Sequence, residues 1–154
     1  MKIVLDNIIY ALQRSGGGSV YWTELSKRFL NIDNEILFFD PKEKFENIFR
    51  ETLNLKNIKT ESKWFLKIRR YMPFTEKIEG RYIFHSSYYR YSSNHNAINV
   101  TTIHDFITEK FRKGLAREIN LFQKKLAVNN SKGIICISEN TKKDFRIIYF
   151  SNFC

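Results

Sequence analysis

Short apolar runs without polar alternation recur along the chain, separated by stretches in which apolar residues return every three or four positions. Residues 2–7 (KIVLDN), 35–39 (EILFF), 81–85 (RYIFH), 97–103 (AINVTTI) and 133–137 (GIICI) read as strands covered on both faces. Between them, Val20, Trp22, Leu25 and Phe29 give residues 19–30 near-helical spacing. Leu115, Ile119, Phe122 and Leu126 share one face of a helix predicted over 115–128. Ser138 is a strong N-cap for a helix over 139–150, with Glu139 early and Lys142 and Lys143 later. Pro41, followed by Glu43 and Glu46, is a helix start, and that helix is expected to turn Phe45, Ile48, Phe49 and Leu53 inward. A further amphipathic helix is predicted over 63–72 and ended by Pro73. At 100° per residue its Lys63, Lys67 and Arg70 fall within about 60° of one another, opposite Phe65, Ile68 and Met72.

Strands alternating with helices, several of them apolar throughout, predict an α/β fold: a Rossmann-like parallel sheet with helices on both faces. At 154 residues the chain has the size of one domain. With 43% hydrophobic and 27% charged residues it has an ordinary globular composition, which excludes a disordered chain. No apolar stretch approaches the ~20 residues of a membrane span, and the start MKIVLDNIIY lacks a secretory signal, so a cytoplasmic protein is expected. The two cysteines agree with that reading. Cys136 is expected to be a buried thiol, and Cys154 is the last residue; neither has a close partner for a disulfide or a metal.

Charge changes the picture. The net charge of +10 favours an anionic partner. Residues 56–90 hold nine Lys and Arg against three Glu, and so supply +6 of it. The basic face of the 63–72 helix is either a solvated surface or, with Trp64, Phe65, Tyr71 and Phe74 beside it, a contact for an anionic membrane surface; Lys63, Trp64, Lys67 and Arg70 are the candidates. Nucleic acid fits the charge, but no recognised reading module accompanies it, and it is not expected as a partner.

In an open parallel sheet, ligands bind beyond the carboxyl ends of the strands. Four features fall there. Gly16, Gly17 and Gly18 precede a helix and either present N–H groups to a phosphate or form a ligand-free turn; their spacing fits neither the dinucleotide fingerprint nor the P-loop. His104 ends a strand and is a candidate donor to a substrate hydroxyl, with Asp105 fixing its tautomer or capping the next helix. The tract FHSSYYRYSSNHN crowds Tyr88, Tyr89, Tyr91 and Arg90 with hydroxyls, a composition suited to sugars or phosphates. Ser138 and Glu139 form the fourth.

The segments DNIIYALQRSGGGSVYWTEL, IFHSSYYR, NVTTIHDF and GIICISENTKKDF, in that order, resemble the N-terminal domain of retaining glycosyltransferases of family 4, which have the GT-B fold. The most specific part is a strand ending in His-Asp, followed some thirty residues on by an apolar strand with Ser-Glu-x-Thr-Lys-x-Asp. The resemblance covers about residues 3–146 and implies transfer of a sugar from a nucleotide-sugar to a hydroxyl with retention, in bacterial surface polysaccharide synthesis such as capsule or O-antigen. It implies Gly16, Gly17, Gly18 and Ser138 near the donor diphosphate and His104 on the transferred sugar as the catalytic-site residue. It also implies Ser86, Tyr88, Arg90 and Asp105 on the acceptor side, with a saccharide or lipid-linked saccharide as acceptor and no metal or other cofactor. Peripheral contact with the inner face of the cell membrane accords with such an acceptor. These enzymes carry a second, C-terminal domain that binds most of the donor through a Glu, seven residues, Glu motif. The pair Glu43 and Glu51 has that spacing by chance, on an early element, so the chain is expected to represent the N-terminal half and to be inactive alone. The alternatives are a stand-alone Rossmann-like protein binding a nucleotide or phosphometabolite, and a basic nucleic-acid-binding protein.

Overall fold

A computed structural model describes residues 1–42, 46–61 and 66–150, without the side chains of Leu66 and Lys67. Among the described residues, six parallel strands form one sheet: β1 (Lys2–Asp6), β2 (Ile36–Asp40), β3 (Ile58–Thr60), β4 (Tyr82–Ser86), β5 (Ala97–Ile103) and β6 (Gly133–Cys136). Their spatial order is β3-β2-β1-β4-β5-β6. This is the order of a Rossmann-like α/β sheet, with its switch point between β1 and β4. The helices are α1 (Ile9–Leu12), α2 (Gly17–Phe29), α3 (Leu66–Arg69), α4 (Ile107–Phe111), α5 (Leu115–Asn129) and α6 (Glu139–Phe150).

Alternation along the strands separates two cores. Ile3, Leu5, Ile36 and Phe38 face Ile9, Tyr10 and Trp22 from α1 and α2. Val4, Leu37, Phe39, Tyr82 and Phe84 face Phe74 on the other side. A third cluster joins Ile103 of β5 to Ala127 of α5 and to Phe145, Ile148 and Tyr149 of α6. Because β1, β2 and β4 are covered on both faces, their sequences show no alternation.

Four expectations fail, each for a physical reason. The 41–53 helix is not formed over its described residues: 48–52 is a turn, Ile48 is exposed and Phe49 half-buried, and only Leu53 reaches the core. Asn47 captures that turn, its side-chain oxygen accepting the N–H groups of Phe49 and Arg50 while its amide donates to the Gln13 carbonyl. Phe45 and Glu43 lie outside the described residues. The chain instead adds the short strand β3, which the sequence reading did not resolve.

Among the described residues of the 63–72 helix, four are helical as α3, and the apolar ones are not the covered ones. Ile68 and Met72 are exposed whereas Arg69 is buried against Glu61. Lys63, Trp64 and Phe65, and the side chain of Lys67, lie outside the described residues.

On α5 the face is inverted. Leu115, Ile119 and Phe122 are exposed, and the covered stripe is Gln123, Lys124 and Ala127. Lys124 tolerates burial because its ammonium pairs with Glu109 at 2.8 Å, donates to the Asp105 carbonyl, and sits over the rings of Tyr89 and Phe106. Cys136 also departs from its expected place: it is a half-buried free thiol on the edge strand β6.

Candidate functional site

The site is built where β1, β4, β5 and β6 end. After β1 the chain makes the short α1 and then turns into α2 through Gly16, whose φ of 156° and ψ of 167° are open essentially to glycine alone. A Cβ there would stand 3.0 Å from the Gln13 side chain. Gln13 is held in turn by Ser19, and the Ser19 hydroxyl donates to the Gly16 carbonyl. The glycines are thus the N-terminus of a 13-residue helix, where N–H groups lack intrahelical acceptors.

One turn into α2, Tyr21 packs edge-on against the ring of His104, with centroids 5.1 Å apart, and its hydroxyl lies 3.4 Å from Thr102 Oγ1. From Gly17 to Tyr21 is a rise of about 6 Å. The glycine turn and His104 therefore share one edge of the sheet and one small neighbourhood.

His104 is half-buried, and burial holds its imidazole below the ordinary histidine range; Lys124 adds to that and Asp105 opposes it. It is neutral at pH 7, with one ring nitrogen to donate and one to accept. Asp105 is exposed, and its carboxylate accepts the Ile107 N–H, so it caps the turn into α4. On the other flank, Ser138 caps α6 by accepting the Thr141 N–H at 3.1 Å, and the Thr141 hydroxyl donates to the His104 carbonyl. Ser138, Thr141, His104, Tyr21 and the glycine turn form one continuous wall.

Under this wall His85 is buried against the Trp22 ring, 5.1 Å between centroids, and its Nε2 bonds Thr102 Oγ1 at 2.9 Å. Burial lowers its pKa to about 4, so it is a neutral structural imidazole.

The tyrosine-rich tract divides. Ser86 and Arg90 are buried, and their polar groups are engaged within the protein rather than offered to a ligand. Ser86 donates to Asp6, whose carboxylate also takes Arg90 Nη1 at 2.9 Å. Arg90 Nη2 meets Glu61 at 2.8 Å, and Glu61 also pairs with Arg69. This four-charge cluster fills the switch point. Burial pushes the Asp6 carboxyl up despite Arg90, while Asp6 and Glu61 together outweigh the burial of Arg90 and hold its guanidinium charged. Two arginines of the basic window are thus spent inside the fold. Tyr89 is buried over Lys124, but Tyr88 is half-exposed and accepts a hydrogen bond from Arg70 at 2.6 Å. Arg70, read from the sequence as a membrane-surface residue, therefore turns toward the sheet edge.

Tyr21 was missed by sequence reasoning; it belongs to this edge through its contact with the His104 ring, and Thr141, within the Ser-Glu-x-Thr-Lys-x-Asp segment, joins it through its hydrogen bond to the His104 carbonyl. Among the described residues, no three His, Cys, Asp or Glu side chains cluster as a metal site would require, and no helix is long and apolar enough to cross a membrane. No protein-family model matches the chain, and no curated protein or solved structure does.

Proposed function

We propose that the chain is the acceptor-side, N-terminal half of a retaining glycosyltransferase of the GT-B type, acting in surface polysaccharide synthesis. The observation that supports this reading is the packing of Tyr21 on His104, because it brings the glycine turn and the strand-end histidine within reach of one small molecule. In this reading the N–H groups at the start of α2 face the leaving diphosphate, where fixed dipoles stabilise developing negative charge. The neutral His104 exchanges a hydrogen bond with a hydroxyl of the transferred sugar, and Ser138 lines the same cleft. The opposite wall, which binds most of the nucleotide, is a second domain. By itself, this 154-residue chain is expected to turn over none of a panel of nucleotide-sugars, whereas robust transfer by it alone would overturn the half-site reading.

NMR titration of the chain with nucleotide-sugars reads the geometry directly. Weak binding with shifts at Gly16, Gly17, Gly18, His104 and Ser138 is expected. Shifts confined to the opposite edge of the sheet would refute the placement, and tight stoichiometric nucleotide binding would favour a stand-alone nucleotide-binding protein.

A further inference from the structure

The hairpin of α4 and α5 carries apolar side chains that the fold leaves uncovered. Phe111 ends α4 and Leu115 begins α5, and the two are 78% and 76% exposed. Ile119 and Phe122 continue the row at helical spacing and are exposed as well. These two also meet Tyr71 and Leu126 along a shallow groove of about 310 Å³, so the row is one continuous surface. Single exposed apolar residues are ordinary on a folded protein, whereas a contiguous patch marks an interaction surface.

The charges around this patch have one sign in excess. Arg112, Lys113 and Lys125 are exposed and have no ion pair among the described residues. Glu118 is matched by Arg117, and Lys110 by Asp144. Arg112, Lys113 and Gly114 make up the whole turn between Phe111 and Leu115, so two unpaired cations stand between two strongly exposed apolar side chains. Topology puts this turn at the carboxyl end of the sheet: α5 runs back from the end of β5 to the start of β6, and α4 opens three residues after His104. Lys124 reaches the Asp105 carbonyl at that end, and Leu115 lies nine residues nearer the start of α5, about 13 Å of helix, so the turn projects beyond the strand ends.

Apolar side chains on a projecting turn, flanked by cations, match the surface of an anionic bilayer: the apolar groups enter the boundary between headgroups and acyl chains while Lys and Arg stay level with the phosphates. A second copy of the chain fits poorly, because pairing this face with itself brings two sets of like charges together. We propose that the α4–α5 hairpin is a docking surface for a membrane containing anionic lipids, with Phe111 and Leu115 inserted and Arg112, Lys113 and Lys125 on the lipid phosphates. This contact lies on different elements from the 63–72 segment that the sequence pattern favoured; of that segment's described residues, Tyr71 borders the patch. The inference does not rest on the glycosyltransferase reading. It holds the His104 wall beside the bilayer and so favours substrates that reside there.

Co-sedimentation of the whole chain with vesicles tests it. Vesicles of phosphatidylcholine with about one-third phosphatidylglycerol are expected to bind at least about tenfold more tightly than phosphatidylcholine alone, and the difference should shrink as salt is raised. Phe111→Ser should weaken that binding at least about tenfold. Arg112→Gln together with Lys113→Gln should weaken it about 25-fold. All three positions are exposed, and circular dichroism confirms that each variant folds. Lys59→Gln together with Lys77→Gln removes the same charge from the groove that holds Lys2 and Ile36, at the amino ends of β1 and β2, and should cost less than about threefold. Phe111→Trp sets a tryptophan on the turn, whose emission should be quenched by brominated acyl chains beyond the change seen in the parent. The proposal is overturned by no binding to the anionic vesicles, by equal losses in the two charge variants, by equal quenching in Phe111→Trp and the parent, or by a dimer in sedimentation velocity that Phe111→Ser dissolves. Nucleotide-sugar shifts at Gly16, Gly17, Gly18 and His104 are read without vesicles, so failure of either inference leaves the other standing.

Discussion

Replacing Arg90 by Met separates two roles for this side chain, ligand holder or buried counter-ion. Arg90 has no exposed side-chain surface, and the Asp6 and Glu61 side chains that it bridges are 2% and 3% exposed. Its Nε also donates to the Met72 carbonyl at 3.2 Å. Methionine fills much of the same volume, so packing changes little. What changes is charge: Asp6 is left buried with Ser86 as its direct partner, and Glu61 retains Arg69. Removing one member of such a pair typically costs about 3–5 kcal/mol, because the remaining charge is neither hydrated nor matched. Against a total stability of about 5–15 kcal/mol for a domain, that is a large loss.

The assay is urea unfolding followed by far-ultraviolet circular dichroism. With a slope of about 2 kcal/mol per molar, the midpoint should fall by roughly 1.5–2.5 M. A companion Arg90→Met/Asp6→Asn variant should recover part of the loss, since the orphaned charge goes with its partner. A midpoint within about 0.3 M of the parent would refute the reasoning and return Arg90 to the solvent-facing, acceptor-binding role that its sequence context suggested.

Two further outcomes follow from the site. His85 stays neutral in the fold down to about pH 4 while the unfolded chain protonates near 6.5; its contribution is therefore complete above pH 6.5 and is lost as the pH falls from there toward 4. At pH 5 the loss amounts to about 2 kcal/mol, read as a lower urea midpoint than at pH 7.5, and His85→Asn should flatten this dependence; an unchanged slope in that variant would assign the acid sensitivity elsewhere. Gly16→Ala should cost about 1–3 kcal/mol, because the backbone is held where alanine is strained. Gly17→Ala, with nothing within 4 Å of the added methyl, should be neutral or slightly stabilising, and equal thermal midpoints for the two variants would show that the turn relaxes freely.

The amino-acid pattern alone determined the fold class, the run of strands β1, β2, β4, β5 and β6 to within a residue or two at each end, and the Ser138 cap of α6. It did so because burial on both faces leaves a local signature, an unbroken apolar run, and because a cap is a contact between residues three apart. It also placed His104 directly after a strand and the glycine turn directly ahead of a helix.

Tertiary structure decided what periodicity leaves open. The spacing of Leu115, Ile119 and Phe122 says that they share a face, not that the face is covered, and the fold buried Lys124 instead because Glu109 and two aromatic rings were there to receive it. Arg90 looks like a surface group in its sequence context, and its partners Asp6 and Glu61 lie 84 and 29 residues away. A chain can show which groups it owns, but a charge or an amide acquires its role from the neighbours that folding brings against it.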